Sequence, residues 1–227
     1  NALKSRLKAV LLSTDHVPNA IKHVIEATFD CKVYNHYGMT EMGLGGGVEC
    51  EAQCGYHLRE ADLYFEIIDP SSGEVLPAGE CGEVVFTTLT RRGMPLIRYR
   101  TGDVSRFIPG HCPCGTQLKT LERITHRWSG RVPINAHYLT MADLDEALFA
   151  IDGVLNFTAT MLNEGGRDCL HLEVKIADDR RTMPVIQSIT AAVSYLHTQR
   201  FDLRISTVDV IPPNLAKRTI IDRRNHA

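Results

Sequence analysis

Two short motifs constrain this chain most, because each combines an aromatic residue, a glycine and a carboxylate. The first reads Tyr-Gly-Met-Thr-Glu at residues 37–41, and the second reads Tyr-Arg-Thr-Gly-Asp at residues 99–103. The stretch at residues 31–34 predicts a strand that ends just before the first motif. Open α/β sheets bind their ligands at the carboxyl ends of the strands. The first motif is therefore expected to form a ligand-binding loop.

Composition narrows the class of protein. The chain has 227 residues, 44% hydrophobic and 23% charged, which fits one large globular domain or two modest ones. A net charge of −2 gives no reason to expect nucleic acid or an anionic membrane as a partner. No apolar run is long enough to span a bilayer, and the first residues lack the pattern of a signal peptide. A cytoplasmic location with reduced cysteines is predicted.

The pattern of apolar residues predicts a mixed fold. A strand at 10–12, a helix at 21–29 and the strand at 31–34 form an α/β unit. Strand patterns at 63–68, 82–89 and 94–100 predict an antiparallel unit, a distorted β-barrel. Beyond a hinge at about 120–136, helices at 141–149 and 182–197 and strands at 157–161, 170–176 and 205–211 predict a small α+β domain. The predicted domains are residues 1–125 and 126–227.

Together, in this order and at this separation, the two motifs resemble the nucleotide-binding motifs of AMP-forming acyl-CoA synthetases, most closely the phenylacetate–CoA ligase branch. That family has a Gly/Ser/Thr-rich phosphate loop farther upstream, which this sequence lacks. The resemblance therefore implies the end of an adenylating N-terminal domain followed by a C-terminal α+β lid. The missing N-terminal part of the same chain would be a partner, and the chain alone is expected to be inactive. A homodimer is also compatible with the sequence.

The resemblance implies roles for the residues of both motifs. Tyr37 would lie along adenine, and Gly38 would permit close approach. Thr40 would hydrogen-bond the α-phosphate, and Glu41 would help to hold Mg²⁺. Asp103 would accept both ribose hydroxyls. The alternatives are an ordinary glycine turn with a solvated Glu41 and a turn aspartate at 103.

Further residues match the family in part. Asp15 stands where these ligases carry the glutamate of the adenine pocket. The stretch from Arg123 to Arg127 resembles the Arg-Ile-x-Gly-Arg element, whose second arginine contacts ribose or phosphate. Ser129 occupies the position of the aspartate on which the lid rotates. Lys217 is the candidate adenylation lysine, a mobile point charge for the carboxylate and the α-phosphate. Its alternative is a solvated cation in a basic tail.

Two clusters of cysteine and histidine predict a metal site. Thiolate and imidazole ligands favour tetrahedral Zn²⁺. The resemblance implies the ligands Cys50, His57, Cys112 and Cys114, and Cys54 or His111 could replace one of them. Four protein ligands would make the zinc structural. The alternative is a set of buried free thiols, as expected for Cys31, Cys81 and Cys169.

The resemblance implies an ATP-dependent acid–CoA ligase that activates a carboxylic acid, phenylacetate-like and aryl, and transfers the acyl group to coenzyme A. Its cofactors would be ATP/AMP, Mg²⁺, coenzyme A and structural zinc. A second hypothesis is a degenerate relative that binds nucleotide or a partner without thioester formation. It is motivated by Ser129 in place of the hinge aspartate, by Asp15 in place of the adenine-pocket glutamate, and by the lack of a glycine before Lys217. Ala136, in place of the glycine that lines the pantetheine tunnel, counts against coenzyme A as the acceptor. A third is a zinc-stabilised interaction module.

Overall fold

The computed structural model describes residues 6–13, 15–135, 137–178, 182–196, 201–212 and 217–224. The chain divides into two compact units. The first comprises residues 1–17 and 22–129, and the second comprises residues 18–21 and 130–227. The main border thus falls between Ser129 and Gly130. The border predicted from the sequence, between residues 125 and 126, lies four residues earlier.

The first unit contains eight of the described strands, which form two sheets. Its strands are β1 (Ala9–Leu12), β2 (Lys32–Tyr37), β3 (Gly47–Glu49), β4 (Tyr56–Leu58), β5 (Leu63–Ile68), β6 (Gly82–Thr88), β7 (Tyr99–Ser105) and β8 (Thr120–Leu121). One sheet has the order β1-β2-β3-β4-β8, and the other has the order β5-β6-β7. Helix α1 (Asn19–Phe29) separates β1 from β2 along the chain, as the parallel pairing of these strands requires. Strand β3 pairs antiparallel with β2, and β4 pairs antiparallel with β3. This pairing brings the first motif beside the β3–β4 hairpin, whose loop contains Cys50 and Cys54.

The antiparallel unit predicted from the sequence is present, with one strand displaced. Residues 94–98, predicted as strand, lie outside β7, which begins at Tyr99. Pro95 lacks the N–H group that a ladder needs, and Met94 and Arg98 have positive φ values of 63° and 48°. The strand prediction was wrong here because apolar character at residues 94–97 does not report these backbone restrictions.

Buried carboxylates brace the three-stranded sheet. Glu66 and Glu83 are 9% and 4% exposed. Arg98 donates from Nε to Glu66 at 3.2 Å, and Arg100 donates from Nε to Glu83 at 2.8 Å. The same two guanidinium groups donate to the backbone carbonyls of Gly73 and Pro70, and so hold the turn between β5 and β6.

The second unit is an α+β arrangement. Its elements are β9 (Val132–Ile134), β10 (His137–Leu139), α2 (Met141–Leu148), β11 (Val154–Glu164), β12 (Arg167–Ile176), α3 (Thr182–Leu196), β13 (Asp202–Thr207) and β14 (Ile221–Asp222). Four strands form a sheet in the order β13-β12-β11-β14, and β9 pairs with β10 separately. Helix α2 begins with a capping box in which Thr140 and Asp143 exchange side-chain and backbone hydrogen bonds. The strand predicted at 205–211 starts earlier and ends at Thr207.

A single apolar core holds the second unit together. Its largest fully buried side chains are Ile134, Leu139, Leu144, Leu148, Phe157 and Met161. Phe157 and Met161 lie on one face of β11, and Leu144 and Leu148 are four residues apart on α2, as the periods of a strand and a helix require for one buried face. Within the described residues, none of the helices combines the length and apolar character needed to cross a membrane.

Candidate functional site

The two sequence motifs meet in the first unit through side chains. Tyr37 at the end of β2 donates its hydroxyl to Oδ2 of Asp103 on β7 at 2.9 Å. Arg127 donates from Nε to Oδ1 of the same carboxylate at 2.7 Å, and the backbones of Asp103 and Arg127 form an isolated β-bridge. The structure therefore brings together three of the residues predicted from the sequence. Each Asp103 oxygen accepts one of these bonds and keeps acceptor capacity for a further donor.

Burial sets the electrostatics of this network. Tyr37 is 7% exposed and Asp103 is 3% exposed. Burial, followed by the charge of Asp103, raises the pKa of Tyr37 well above its ordinary value. Burial opposes the charge on Arg127, but Asp103 outweighs it and raises the pKa of the guanidinium. The Tyr37 phenol therefore stays neutral and the Arg127 guanidinium stays charged.

The loop after Tyr37 is folded back on itself. The amide of Gly46 donates to the carbonyl of Tyr37 at 2.8 Å. A Cβ at Gly38 would lie 2.8 Å from the Cα of Gly45, so the close approach of the two segments requires glycine. Between them, Thr40 is exposed and Glu41 is partly exposed in a short 3-10 helix. Both side chains are accessible from solvent.

A small pocket lies beside this loop in the first unit. It is lined by Leu12, Asp15, His16, Val17, Asn35, His36, Tyr56, Arg123 and Ile124. Asp15 is exposed and accepts a hydrogen bond from the amide of His16 at 2.9 Å. Arg123 donates from Nη2 to the carbonyl of Val17 at 3.2 Å, so it holds the segment that carries Asp15. Two predicted nucleotide residues, Asp15 and Arg123, thus share one pocket.

The predicted zinc ligands are also brought together. The ligand atoms of Cys50, His57, Cys112 and Cys114 all lie within 4.8 Å of one another. The Sγ atoms of Cys50 and Cys112 are 3.5 Å apart, and Sγ of Cys114 lies 3.3 Å from Nε2 of His57. A tetrahedral zinc with Zn–S bonds of about 2.3 Å separates its sulfur ligands by about 3.8 Å. The residues therefore fit a zinc ion, and Cys54 and His111 are not members of this group.

The surroundings of the cluster suit a cation. Nδ1 of His57 lies 3.3 Å from Oγ1 of Thr120, which leaves Nε2 facing the sulfurs. The backbone around Cys114 favours a thiolate at Cys112, but burial and the neighbouring thiols of Cys50 and Cys114 raise the pKa of Cys112 to about 11. A hydrogen bond from the backbone of Thr116 lowers the pKa of Cys114. A bound cation would supply the positive charge that several adjacent thiolates need.

Lys217 lies in the second unit and is exposed. The next residue, Arg218, donates to Oδ1 of Asp145 at 2.5 Å and to the carbonyl of Phe157 at 3.1 Å. Its guanidinium also lies over the ring of Phe157, 4.4 Å from the centroid. The segment that presents Lys217 is therefore anchored by its neighbour. Ala136 and residues 213–216, which carry other predictions, lie outside the described residues.

Sequence reasoning missed three residues that organise these sites. Asn35 is a buried residue of the pocket lining, Glu49 is buried beside it, and Arg218 anchors the lysine segment. A glutamate directly before a predicted ligand, Cys50, is a signal that could have identified Glu49. No comparable signal exists for Asn35 or Arg218, because their partners are defined only by tertiary contacts.

This chain is similar to known AMP-binding enzymes and phenylacetate–coenzyme A ligases. Residues 1–89 match the family model described as AMP-binding enzyme. A phenylacetate–coenzyme A ligase of Aromatoleum evansii is 37% identical over 147 residues, which are 64% of this chain and 33% of the relative. The corresponding ligase of Thermus thermophilus is 32% identical over 176 residues, which are 76% of this chain and 39% of the relative. The ligase of Escherichia coli is 29% identical over 83% of this chain and 43% of its own length.

Solved structures show the same fold. A 2-hydroxyisobutyryl-CoA ligase crystallised in the postadenylation state, in complex with R3-HIB-AMP, has a TM-score of 0.82 at 24% identity, covering 96% of this chain and 49% of that chain. An anthranilate CoA ligase in complex with anthranoyl-AMP has a TM-score of 0.69 at 14% identity, covering 95% and 43%. The chain spans less than half the length of these relatives. The chain therefore carries part of an AMP-binding enzyme domain and is a homologue of the phenylacetate–coenzyme A ligases, with the fold of solved CoA ligases.

Proposed function

We propose that this chain supplies part of the nucleotide site and the C-terminal α+β domain of an ATP-dependent acid–CoA ligase. The observation that carries the proposal is the contact between Tyr37 of the first motif and Asp103 of the second. Two motifs far apart in the sequence converge on one carboxylate, with Arg127 on its other oxygen. A diol and a phosphate ester offer the donors and the negative charge that this group of side chains can recognise.

The reaction would proceed in two steps. A carboxylate oxygen of the acid would attack the α-phosphorus of ATP, and the bond from that phosphorus to pyrophosphate would break. A thiol of coenzyme A would then displace AMP from the acyl-adenylate to give the thioester. Asp103 would hold the ribose, Thr40 the α-phosphate and Tyr37 one face of the adenine. Lys217 would bring a positive charge to the carboxylate and the α-phosphate.

Mg²⁺ belongs to this proposal through Glu41. A partly exposed carboxylate beside the predicted α-phosphate position suits a hard cation that also binds phosphate oxygens. When bound, Mg²⁺ would offset the negative charge of the triphosphate. The contribution of this chain is the single carboxylate of Glu41 and the fixed loop that carries it.

Structural zinc is the second metal in the proposal. Its support is the compact group of Cys50, His57, Cys112 and Cys114. All seven cysteines are free thiols, and zinc ligation needs thiols that stay reduced, so a cytoplasmic location is part of the proposal.

An aryl acid is the proposed substrate class. The support is the name of the relatives, phenylacetate–coenzyme A ligase, at 29% to 37% identity. ATP–pyrophosphate exchange tests both the adenylation step and the substrate class. It is measured on the full-length gene product that contains this chain, across aryl and short aliphatic acids. Exchange that depends on an aryl acid is the expected result, and exchange only with aliphatic acids would change the substrate class.

A variant makes the test specific to this chain. Lys217→Met is expected to lower the exchange rate by about 100-fold or more, as removal of a charge-stabilising group in other enzymes does. Lys8→Met, which removes another exposed lysine, is the matched control and should leave the rate unchanged. Equal rates for wild type and Lys217→Met would remove Lys217 from the mechanism.

The second candidate is a degenerate relative that binds nucleotide without forming a thioester. It is favoured by Ser129 at the position of the pivot aspartate and by the absence of a glycine before Lys217. It predicts measurable ATP binding with no acid-dependent exchange for any acid in the panel. That pair of results would replace the ligase proposal.

A further inference from the structure

The starting point is a buried carboxylate to which the predicted mechanism gives no role. Glu49 ends β3, and its side chain is fully buried. Oε2 accepts hydrogen bonds from the amide of Asn35 at 2.8 Å and from its Nδ2 at 3.0 Å. Oε1 accepts no hydrogen bond from the described residues, and Nε of Arg123 lies 3.5 Å from it as an ion pair. A buried charge is costly unless it is paired, so Glu49 depends on these two neighbours and in turn fixes them.

Both neighbours line the pocket that also contains Asp15. Asn35 and Arg123 are pocket residues, and Arg123 reaches onward to the carbonyl of Val17. Tyr56, another pocket residue, is the cross-strand partner of Glu49 in the β3–β4 register. Glu49 therefore adjoins three residues of the pocket lining: Asn35 on β2, Tyr56 on β4 and Arg123 after β8.

The same hairpin carries two of the proposed metal ligands. Cys50 directly follows Glu49, and His57 directly follows Tyr56. Successive side chains of a strand point to opposite faces. The hairpin thus presents Tyr56 to the pocket and His57 to the cluster. A cation in the cluster would join both arms of the hairpin to the segment at 112–114.

We infer that Glu49 is a positioning residue that links the Cys/His cluster to the pocket. Metal in the cluster fixes the β3–β4 hairpin. Glu49 then holds Asn35 and Arg123 in place through its hydrogen bonds and ion pair, and Arg123 holds the segment at 15–17. The identification of the pocket as a nucleotide site rests on the proposed function, whereas the link itself does not. Glu49 need not touch a ligand to act in this way.

The first experiment is amide hydrogen exchange on the reduced 227-residue chain. It compares zinc-loaded wild type, wild type stripped by a chelator, and zinc-loaded Glu49→Gln. Glutamine keeps the shape of the side chain and an oxygen for Asn35, but it removes the charge opposite Arg123. We expect both the stripped wild type and the loaded variant to exchange about tenfold faster at residues 15–17 and 33–36, the change expected for roughly 1.4 kcal/mol of local stability.

Controls separate this link from general loosening. Zinc content measured with a chromophoric chelator should be unchanged in Glu49→Gln. Glu66→Gln, which alters another buried glutamate paired with an arginine in the other sheet, should leave the exchange at residues 15–17 and 33–36 unchanged. If Glu49→Gln fails to fold, Arg123→Lys is the second variant. It keeps the positive charge but cannot contact both Glu49 and the carbonyl of Val17, so it is expected to loosen the same segments.

The outcomes decide the inference directly. Exchange at 15–17 and 33–36 that stays at the wild-type rate in the zinc-loaded variant would overturn it. Loosening confined to residues 50–57 and 112–114 after zinc removal would also overturn it. AMP affinity, measured by calorimetry in the same samples, should fall about tenfold in the variant and on zinc removal. Absence of AMP binding in zinc-loaded wild type would count against the proposed function alone, because the exchange pattern still reports the link.

Discussion

The hydroxyl of Tyr37 donates to Oδ2 of Asp103 at 2.9 Å, across 66 positions of sequence. This bond joins the end of a strand in the five-stranded sheet to a strand of the three-stranded sheet. It fixes the loop that begins at Gly38 relative to the carboxylate proposed to hold ribose. The fold of the first unit and its proposed chemistry therefore depend on the same hydrogen bond.

Tyr37→Phe should destabilise the first unit. The substitution removes the donor to a buried carboxylate oxygen, and we expect the free energy of unfolding to fall by about 2 kcal/mol. Urea unfolding followed by the fluorescence of Trp128, the only tryptophan, reports on this unit. Tyr195→Phe, at a side chain that is 90% exposed, is the control and should change little. Equal losses in the two variants would show that the bond to Asp103 adds no stability.

The stability of the first unit should decline at high pH through the same tyrosine. The pKa of Tyr37 is raised well above 10.0 in the folded chain, mainly by burial. An unfolded chain releases this proton near pH 10, whereas the folded chain retains it. The stabilising contribution is therefore complete below about pH 10 and is lost as the pH rises toward the folded pKa. The difference in unfolding free energy between wild type and Tyr37→Phe should shrink over that range, and a constant difference would contradict the assignment.

One zinc ion should bind per chain. Cys112→Ser removes a buried ligand of the cluster and should abolish stoichiometric zinc binding, while Cys169→Ser, at a buried cysteine outside the cluster, should retain it. Cobalt substitution offers an optical measure, because tetrahedral thiolate coordination gives strong visible absorption. Zinc retention by Cys112→Ser would place the metal elsewhere.

Arg218→Ala should destabilise the second unit. It leaves the buried carboxylate of Asp145 without its guanidinium partner and removes the ring contact with Phe157, so we expect a loss of about 3 kcal/mol. Amide hydrogen exchange in β11 and β12 measures this unit separately. Arg167→Ala breaks an exposed ion pair with Asp202 and should cost about 0.5 kcal/mol or less. Similar effects of the two variants would deny Arg218 its anchoring role.

Gly45→Ala should disrupt the loop after Tyr37. Gly45 has a φ of +102°, and an added Cβ would lie 1.9 Å from Nε2 of His36. Either the His36 ring or the loop must move, and this φ strains an alanine, so we expect a loss of about 2 kcal/mol in the first unit. Gly93→Ala, where an added Cβ meets nothing within 4 Å, is the control. Urea unfolding followed by Trp128 measures both variants.

In the first unit the sequence indicated candidate site residues but not the contacts between them. Residues 37–41 and 99–103 were identified by their resemblance to the motifs of a known family. The cluster at Cys50 and Cys112 was identified by the same resemblance and by the preference of zinc for thiolate and imidazole ligands. The strand at 94–98 was predicted wrongly because positive φ values at Met94 and Arg98 follow from tertiary contacts, among them the pairing of Arg98 with Glu66. Glu49 and Arg218 could not be assigned partners, since Arg123 and Asp145 lie 74 and 73 residues away.

The 3.5 Å separation of the Cys50 and Cys112 sulfurs makes oxidation a competitor of the metal. A disulfide needs the sulfurs at about 2.05 Å, so only a short movement separates two ligands from a covalent bond. A cation that engages both thiolates removes their nucleophilic electron pairs from reach of an oxidant. The order in which this chain meets metal and oxygen during purification would then determine which of two chemically distinct forms is obtained.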